Sequence, residues 1–389
     1  MTNKIYLDYA ASTPLEPLVL QKMKKYFFQD YGNPESLHCF GQKALNAIDI
    51  AREYLAQVTN SNFRNIIFTS GATEANNLAL RGVIKAFKKL NKNFIPEIMI
   101  SAIEHKSILK TADDLKFDAK IITIPVNKNG YVDLNFIKQN INSNTILISI
   151  MYVNNETGNI QPLDKITTII NNFKKNNNSL YPLFHSDAAQ AFYYLPCNIQ
   201  KLKIDLMTIS AQKIYGPKGI GALIFNPNSK IIENKLINPI ITGGNQEFNL
   251  RAGTENTPLI FGFYQAAQLA IKNQSKNYKY VQNIKNYFIH QLQKSYPIKI
   301  NGSSDIPHIV NIYFPNNAAE DLIIKLDSEG IAVAASSACT ARSLTPSHVL
   351  QAMNLNQNIL NSSLRFSFSP LTTKQELNYV LKKIKKIIF

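Results

Sequence analysis

Short apolar runs recur along this chain at residues 65–70, 95–101, 120–126, 145–152, 181–186, 204–209 and 220–225, and most intervals between them place apolar residues at helical spacing. Such runs read as strands buried on both faces, and their alternation with helices predicts a largely parallel sheet covered on both sides. Near the C-terminus, Leu377, Val380, Leu381, Ile384, Ile387 and Ile388 recur every three or four residues. That spacing predicts an amphipathic helix packed on a smaller domain. Residues 174–179, KKNNNS, read as an exposed loop, and no segment repeats another. At 389 residues the chain exceeds the usual size of a single core, which predicts two domains.

The candidate chemistry lies at the ends of these runs. Ile204 to Ile209 ends in Ser210-Ala211-Gln212-Lys213, and a loop punctuated by glycine and proline leads to the next run at Ile220. A lysine held between two buried strands is unusual, because lysine is almost never fully buried without a partner. Burial there lowers the amine's pKa and makes it a nucleophile able to form a Schiff base. Pyridoxal phosphate is the common cofactor that uses such a lysine, with Ser210 beside it as a phosphate ligand. Lys213 and Lys218 can equally be two loop lysines of a lysine-rich chain, and this segment alone leaves both readings open.

Upstream, the run at 181–186 leads into Asp187, with Gln190 three residues on. A carboxylate against a pyridine nitrogen keeps that nitrogen protonated, so that the ring can take up carbanion charge. Asp187 suits that role, and Gln190 suits a donor to the ring's phenolic oxygen. A strand-end Asp is also a common helix N-cap, and the two roles are compatible. Farther upstream, Asn65 to Ser70 passes through Gly71-Ala72-Thr73-Glu74 into a helical pattern reaching Leu90. Strand, glycine turn and helix start together aim free backbone N–H groups and a dipole end at an anion, with the Thr73 hydroxyl added. The same residues fit an ordinary capped helix.

These motifs stand in one order with others. The series is YLDYAASTP at 6–14, GNPESLHCFG at 32–41, TSGATEANN at 69–77, EHKS at 104–107, NNETG at 154–158 and HSDAAQ at 185–190. It continues with SAQKIYGPKGIGAL at 210–223, RAGTEN at 251–256, SSACT at 336–340 and SSLRFSFS at 362–369. From Tyr6 almost to the C-terminus the chain resembles the cysteine desulfurases of the class V aminotransferase group, pyridoxal phosphate enzymes of fold type I. The resemblance implies an α/β fold, with a mostly parallel seven-stranded sheet in a large domain at 16–262. It implies a smaller α+β domain from 1–15 and 263–389.

The implied reaction converts L-cysteine to L-alanine and leaves the sulfur as a persulfide on Cys339. The sulfur then passes to an acceptor protein for iron–sulfur cluster assembly or tRNA thiolation. Lys213 carries pyridoxal 5'-phosphate and takes the Cα proton. Asp187 holds the ring nitrogen, and His105 stacks on the ring as an acid/base. Ala72, Thr73, Ser210, Gln212 and Thr254 serve the phosphate, while Asn155 and Gln190 complete the ring and substrate contacts. Arg365 grips the substrate carboxylate by a bidentate pair that lysine cannot copy. In the family that threonine comes from the neighbouring subunit, which implies a homodimer with shared sites. No metal is expected.

Small residues flank Cys339 and Pro346 follows, so a mobile loop is expected there. Two departures stand out. Family members usually carry His where this chain has Gln212; an amide donates a hydrogen bond but carries no positive charge. The iron–sulfur members continue in a tail that docks their scaffold protein, whereas this sequence stops at Phe389, which gives weight to tRNA thiolation or another acceptor. A selenocysteine lyase or other class V enzyme is the same-fold alternative, and a non-catalytic partner-binding subunit the alternative of another class.

Composition adds limits. No apolar run approaches the ~18 residues that span a bilayer, and with Met1 to Lys4 leading into YLDYA no signal or transit peptide is expected. Three cysteines argue for a reducing compartment rather than a disulfide framework, so a cytoplasmic protein is expected; Cys39 and Cys197 match no catalytic position. The net charge of +16 comes from scattered lysines with no interleaved aromatic stripe, so no direct nucleic-acid contact is expected.

Overall fold

The computed structural model describes residues 4–335 and 346–388. Its strands in chain order are β1 (Ile5–Tyr6), β2 (Ile66–Thr69), β3 (Glu97–Ser101), β4 (Lys120–Ile124), β5 (Thr145–Ser149), β6 (Leu183–Asp187), β7 (Leu206–Ser210) and β8 (Gly221–Phe225). They continue with β9 (Lys299–Ile300), β10 (Ile309–Tyr313), β11 (Ile331–Ala332), β12 (Ala334–Ala335) and β13 (Ser363–Ser367). All seven apolar runs form strands of one sheet, ordered β2-β8-β7-β6-β5-β3-β4. Neighbours from β7 to β4 pair in parallel; β8 runs antiparallel between β2 and β7. The carboxyl ends of β2, β3, β5, β6 and β7 therefore share one edge with the start of β8.

Side chains alternate across this sheet. Phe68, Met99, Ile148, Phe184 and Met207 face a core built with the helices Cys39–Thr59, Leu163–Asn176 and Thr257–Ser295. Ile67, Ile98, Leu147, Leu183 and Leu206 face a second core built with Ala72–Leu90 and Lys106–Asp114. The period of two explains why every position of these strands is buried: both faces are covered.

A four-stranded sheet, β12-β13-β10-β9, stands apart from the large one, and β1 pairs in parallel with β11. The N-terminal segment is laced to this smaller sheet, since Ser367 N–H donates to Leu7 O at 2.8 Å and Ala10 N–H to Ser367 Oγ at 2.9 Å. The 39-residue helix Thr257–Ser295 joins the two regions. Tyr264 packs edge-on against Tyr54, and Phe288 sits 5.0 Å from Phe366 and 5.5 Å from Phe368. The division expected after residue 262 falls inside this helix. The last helix, Lys374–Ile388, buries Leu377, Val380 and Ile384 as its pattern predicts.

Two boundaries differ from the sequence reading by more than two residues. The helix Leu163–Asn176 runs into the segment expected to be a loop, leaving only Asn177 to Ser179 outside it. Lys174 and Lys175 suit the negative end of a helix dipole, and Lys174 also reaches Asp205 at 3.4 Å. The run at 145–152 stops as a strand at Ser149; Ile150, Met151 and Val153 are buried by the loop that follows.

Candidate active site

The shared strand edge opens into a cavity of about 380 Å³. Lined by the turns after five strands, it follows the rule that ligands of open α/β sheets sit beyond the carboxyl ends of the strands. Ala72 and Thr73 come from the turn after β2, His105 from the turn after β3 and Asn155 from the loop after β5. Asp187 and Gln190 come from the end of β6, Ser210, Gln212 and Lys213 from the end of β7, and Arg365 from β13; all ten line the cavity. Gly71, with φ +152°, takes a backbone conformation that side chains rarely adopt, and a Cβ on Gly221 would lie 2.8 Å from the Gly71 carbonyl carbon. Glycine at both positions lets β2 and β8 close under the helix that starts at Ala72. That helix has no side-chain cap at Gly71, so its first N–H groups, which have no intrahelical partner, are left for the cavity.

Lys213 ends a short turn after β7, and its Nζ donates to the carbonyl oxygens of Ala10 at 2.8 Å and Ala11 at 2.6 Å. Asp187 is buried; its Oδ1 accepts the Ala189 N–H at 2.9 Å and its Oδ2 the Asn76 amide at 2.8 Å. Asp187 thus caps a turn and not the helix that an N-cap would start, and it lines the cavity. Gln190 donates from Nε2 to Ala10 O at 2.9 Å. Its Oε1 faces His308 Nε2 at 3.0 Å, and the His308 ring is stacked on Tyr194 at 4.4 Å. Burial holds His308 well below the ordinary histidine pKa; with Gln190 Nε2 donating to Ala10 O, its Oε1 is left to accept from Nε2 of the neutral His308 ring.

His105 caps the helix Lys106–Asp114 through Nδ1, which accepts the Ser107 N–H at 3.1 Å. Burial lowers its pKa; the Asp187 carboxylate opposes that shift, while the Lys213 and Lys106 charges add to it. Glu104, the preceding residue, is fully buried and accepts the Met151 N–H at 2.7 Å, which ties the turn after β3 to the loop carrying Asn155. Desolvation pushes its carboxyl well above the usual range. Arg365 donates from Nη2 to Asp8 Oδ1 at 2.6 Å and from Nη1 to Asn155 O at 2.9 Å.

Thr254 does not line this cavity in its own chain. It borders a neighbouring hollow of about 240 Å³ that shares Ser70, Gly219 and Ile220 with the main one. Cys339 lies outside the described residues. Sequence reasoning missed Asp8, Asn76 and His308. Only Asn76 left a signal: a polar residue at i+4 from Ala72, on the buried stripe of a helix whose other inward positions are apolar.

The fold and this strand-end site define an α/β protein of the NifS-like kind. A solved structure titled NifS-like protein aligns with a TM-score of 0.89 at 32% identity, covering 99% of both chains. Residues 5–380 match the aminotransferase class-V family, and the chain belongs to that family. Among curated relatives, "Cysteine desulfurase IscS" of Dictyoglomus turgidum is 39% identical over 392 aligned positions, covering 100% of this chain and 95% of that protein. The structure "SspA in complex with cysteine" aligns with a TM-score of 0.79 at 34% identity, covering 95% of this chain and 100% of that one. The resemblance read from the motifs and the fold class it implied are thereby borne out. Among the described residues no helix is long and apolar enough to cross a membrane.

Proposed function

We propose that this chain is a cysteine desulfurase that uses pyridoxal 5'-phosphate to turn L-cysteine into L-alanine, passing the sulfur to Cys339 and then to an acceptor protein. The observation that carries the reading is the convergence on one cavity of the Lys213 amine, the buried Asp187 carboxylate and the uncapped helix start at Ala72. Those residues fit the cofactor's three needs. Lys213 would hold its aldehyde carbon and Asp187 its ring nitrogen. The N–H groups at Ala72 and Thr73, with the Ser210 and Gln212 side chains, would hold its phosphate. When bound, the cofactor supplies a sink for the electron pair released at the substrate's α-carbon.

This chain's own residues do the rest. With the cofactor bound, Asp187 would hold a proton on the ring nitrogen, Gln190 would donate to the phenolic oxygen, and the Lys213 amine would take the α-proton. His105 would cover the ring and serve as the acid/base group there. Arg365 and Asn155 orient the substrate carboxylate. The Cys339 thiolate attacks the substrate sulfur; the carbon–sulfur bond breaks, a sulfur–sulfur bond forms on the enzyme, and the three-carbon remainder leaves as alanine. We read the chain as cytoplasmic, with a large domain at 16–262 and the remaining residues as the smaller one. It works as a homodimer in which Thr254 completes the partner copy's phosphate site. The exposed Leu37, Phe28 and Tyr31 supply apolar surface of the kind a second copy covers.

The test is to load full-length protein with pyridoxal phosphate and supply L-cysteine with a thiol reductant. Alanine and released sulfide should appear in equal amounts, and borohydride followed by peptide mapping should place the cofactor on Lys213. Label on another lysine, or sulfide without alanine, would overturn the reading. Turnover of selenocysteine but not cysteine would replace it with the lyase.

A further inference from the structure

Asp187, Asn76, Ser107 and His105 form one continuous hydrogen-bonded chain. Asn76 is fully buried, and its Nδ2 lies 2.8 Å from Asp187 Oδ2 and 2.8 Å from Ser107 Oγ. Ser107 Oγ lies 2.8 Å from His105 Nδ1, and the Ser107 N–H donates to the same nitrogen at 3.1 Å. The direction of every proton follows from one end. An ionised carboxylate only accepts, so Asn76 must turn its NH2 toward Asp187. One amide proton goes to Asp187 and the other to Ser107. The Ser107 hydroxyl, already an acceptor, gives its own proton to His105 Nδ1. Nδ1 therefore holds a lone pair, and the neutral ring carries its proton on Nε2, which has no protein partner among the described residues.

The orphan atom in this chain supports that order. Asn76 Oδ1 is buried with no hydrogen-bond partner, a state that costs free energy. The amide keeps it because flipping would set a carbonyl oxygen against the Asp187 carboxylate. The arrangement holds for the nitrogen's sake.

We propose that Asn76 and Ser107 are positioning residues that transmit the charge of Asp187 to the tautomer of His105, so that the resting imidazole presents an N–H and not a lone pair to the cavity. The proposal rests on the reading above for the place of His105, and it sharpens the acid/base role given there. With Nδ1 occupied by two donors and Nε2 protonated, His105 cannot compete for the substrate's α-proton, which leaves that transfer to Lys213. Ser107 and Asn76 do not line the cavity; they act through the ring they orient.

The relay is tested on full-length protein labelled with ¹⁵N-histidine, with and without pyridoxal phosphate and in the absence of cysteine. In the parent, long-range ¹H–¹⁵N correlations should show His105 as the Nε2–H tautomer alone. Ser107→Ala removes one donor to Nδ1, so the Nδ1–H form should become populated and the proton affinity of His105 should rise roughly five-fold, the net worth of one hydrogen bond. Ser107→Thr keeps the hydroxyl and should restore the parent tautomer. Asn76→Leu should behave as Ser107→Ala does; should it fail to fold, the Ser107 pair carries the test by itself. An unchanged tautomer and titration in Ser107→Ala would overturn the relay, because the backbone N–H alone would then set the ring. No step of this test needs turnover. A chain that keeps the tautomer but binds no pyridoxal phosphate upholds the relay and sinks the desulfurase reading. A desulfurase with mixed His105 tautomers in the parent does the reverse.

Discussion

Arg365 and Asp8, 357 residues apart in the chain, meet at 2.6 Å on the wall of the cavity. A substrate carboxylate arriving at this guanidinium finds a negative charge already paired with it. Asp8→Asn keeps the shape and a hydrogen-bond acceptor while removing the competing charge. We expect KM for L-cysteine to fall by roughly three- to ten-fold with little change in kcat, the signature of uniform binding. Arg365→Lys, which loses the fork that reaches Asp8 and Asn155 O together, should raise KM by more than about ten-fold. Steady-state kinetics on both variants decides it. An unchanged KM in Asp8→Asn would mean that the substrate carboxylate binds elsewhere.

Gln212 is the second place where charge can be altered without moving the backbone. Its carbonyl oxygen accepts from the Thr13 N–H at 3.2 Å and the Thr13 hydroxyl at 2.9 Å, so a new side chain there leaves the turn pinned. Gln212→His adds a donor able to carry positive charge beside the phosphate site. Pyridoxal phosphate should dissociate more weakly from the variant, by ~1–3 kcal/mol for a well-formed charge-assisted hydrogen bond. Equal dissociation constants, measured by absorbance as cofactor is titrated in, would show that the amide already supplies all that this position offers.

Most of this site is legible because each parallel strand announces its own end. An apolar run stops, a polar or glycine-containing turn follows, and in a parallel sheet those turns gather on one edge; Ala72, Asp187 and Lys213 are found this way, while His105 is named through the resemblance of its EHKS motif. What stayed hidden depends on contacts between distant segments. Asp8 looks like any residue after a short strand until Arg365 arrives from β13. His308 gains its role only by stacking on Tyr194 beside Gln190. Thr254 is named through the resemblance, but its position outside the main cavity of its own chain follows from a turn set by a buried ion pair, which no local pattern encodes. Met151 shows the opposite error: an apolar run continued past the strand because the cavity wall, as well as the sheet, needs apolar residues.

That ion pair joins Arg52 and Glu247. The guanidinium donates to both carboxylate oxygens, at 2.6 and 2.9 Å, with the Phe63, Phe68 and Phe248 rings around it. Glu247 also accepts the Phe68 N–H at 2.8 Å. The pair holds a turn in which Glu247, Phe248 and Asn249 have φ of 48°, 57° and 67°, a left-handed conformation that side chains resist. Glu247→Gln leaves a buried guanidinium without its counter-charge and should lower stability by about 3–5 kcal/mol. Asn249→Gly relieves one strained position and should raise stability by up to about 1 kcal/mol. Urea melts at constant pH measure both, and a neutral Glu247→Gln would show that the turn holds without the charge.

Glu156 makes stability depend on pH. It is buried against Ser347, whose hydroxyl donates to it, and desolvation pushes its carboxyl up to about 7 even though Arg365 pulls it down. A raised carboxyl pKa means that the folded state binds the extra proton between the unfolded value, 4.5, and about 7. The stability Glu156 contributes is therefore full below the lower value and is lost as pH rises through the higher one. Glu156→Gln keeps the acceptor for Ser347 without the ionisation. At pH 8 the variant should be more stable than the parent by roughly 1–3 kcal/mol, with the difference shrinking toward pH 5. Parallel melting curves that keep the same separation from pH 5 to 8 would rule out Glu156 as the titrating group.

Cys339, finally, separates cofactor chemistry from sulfur transfer. Every residue proposed to hold pyridoxal phosphate lies elsewhere in the sequence, so removing the thiol should leave cofactor binding intact. Cys339→Ser keeps the size of the side chain, but its hydroxyl has a pKa far too high to give a nucleophile toward sulfur at neutral pH. The variant should stay yellow, change its absorbance when L-cysteine binds, and form no alanine. Mass spectrometry of the parent after exposure to L-cysteine should find one added sulfur atom on the peptide containing Cys339, absent from the variant. The pair of readouts matters, because loss of alanine alone could follow from a damaged site. Parent-like cofactor spectra together with lost sulfur transfer place the defect at the thiol. Alanine formed at the parent rate by Cys339→Ser would instead mean that sulfur leaves without an enzyme persulfide, and the lyase alternative would then describe the reaction.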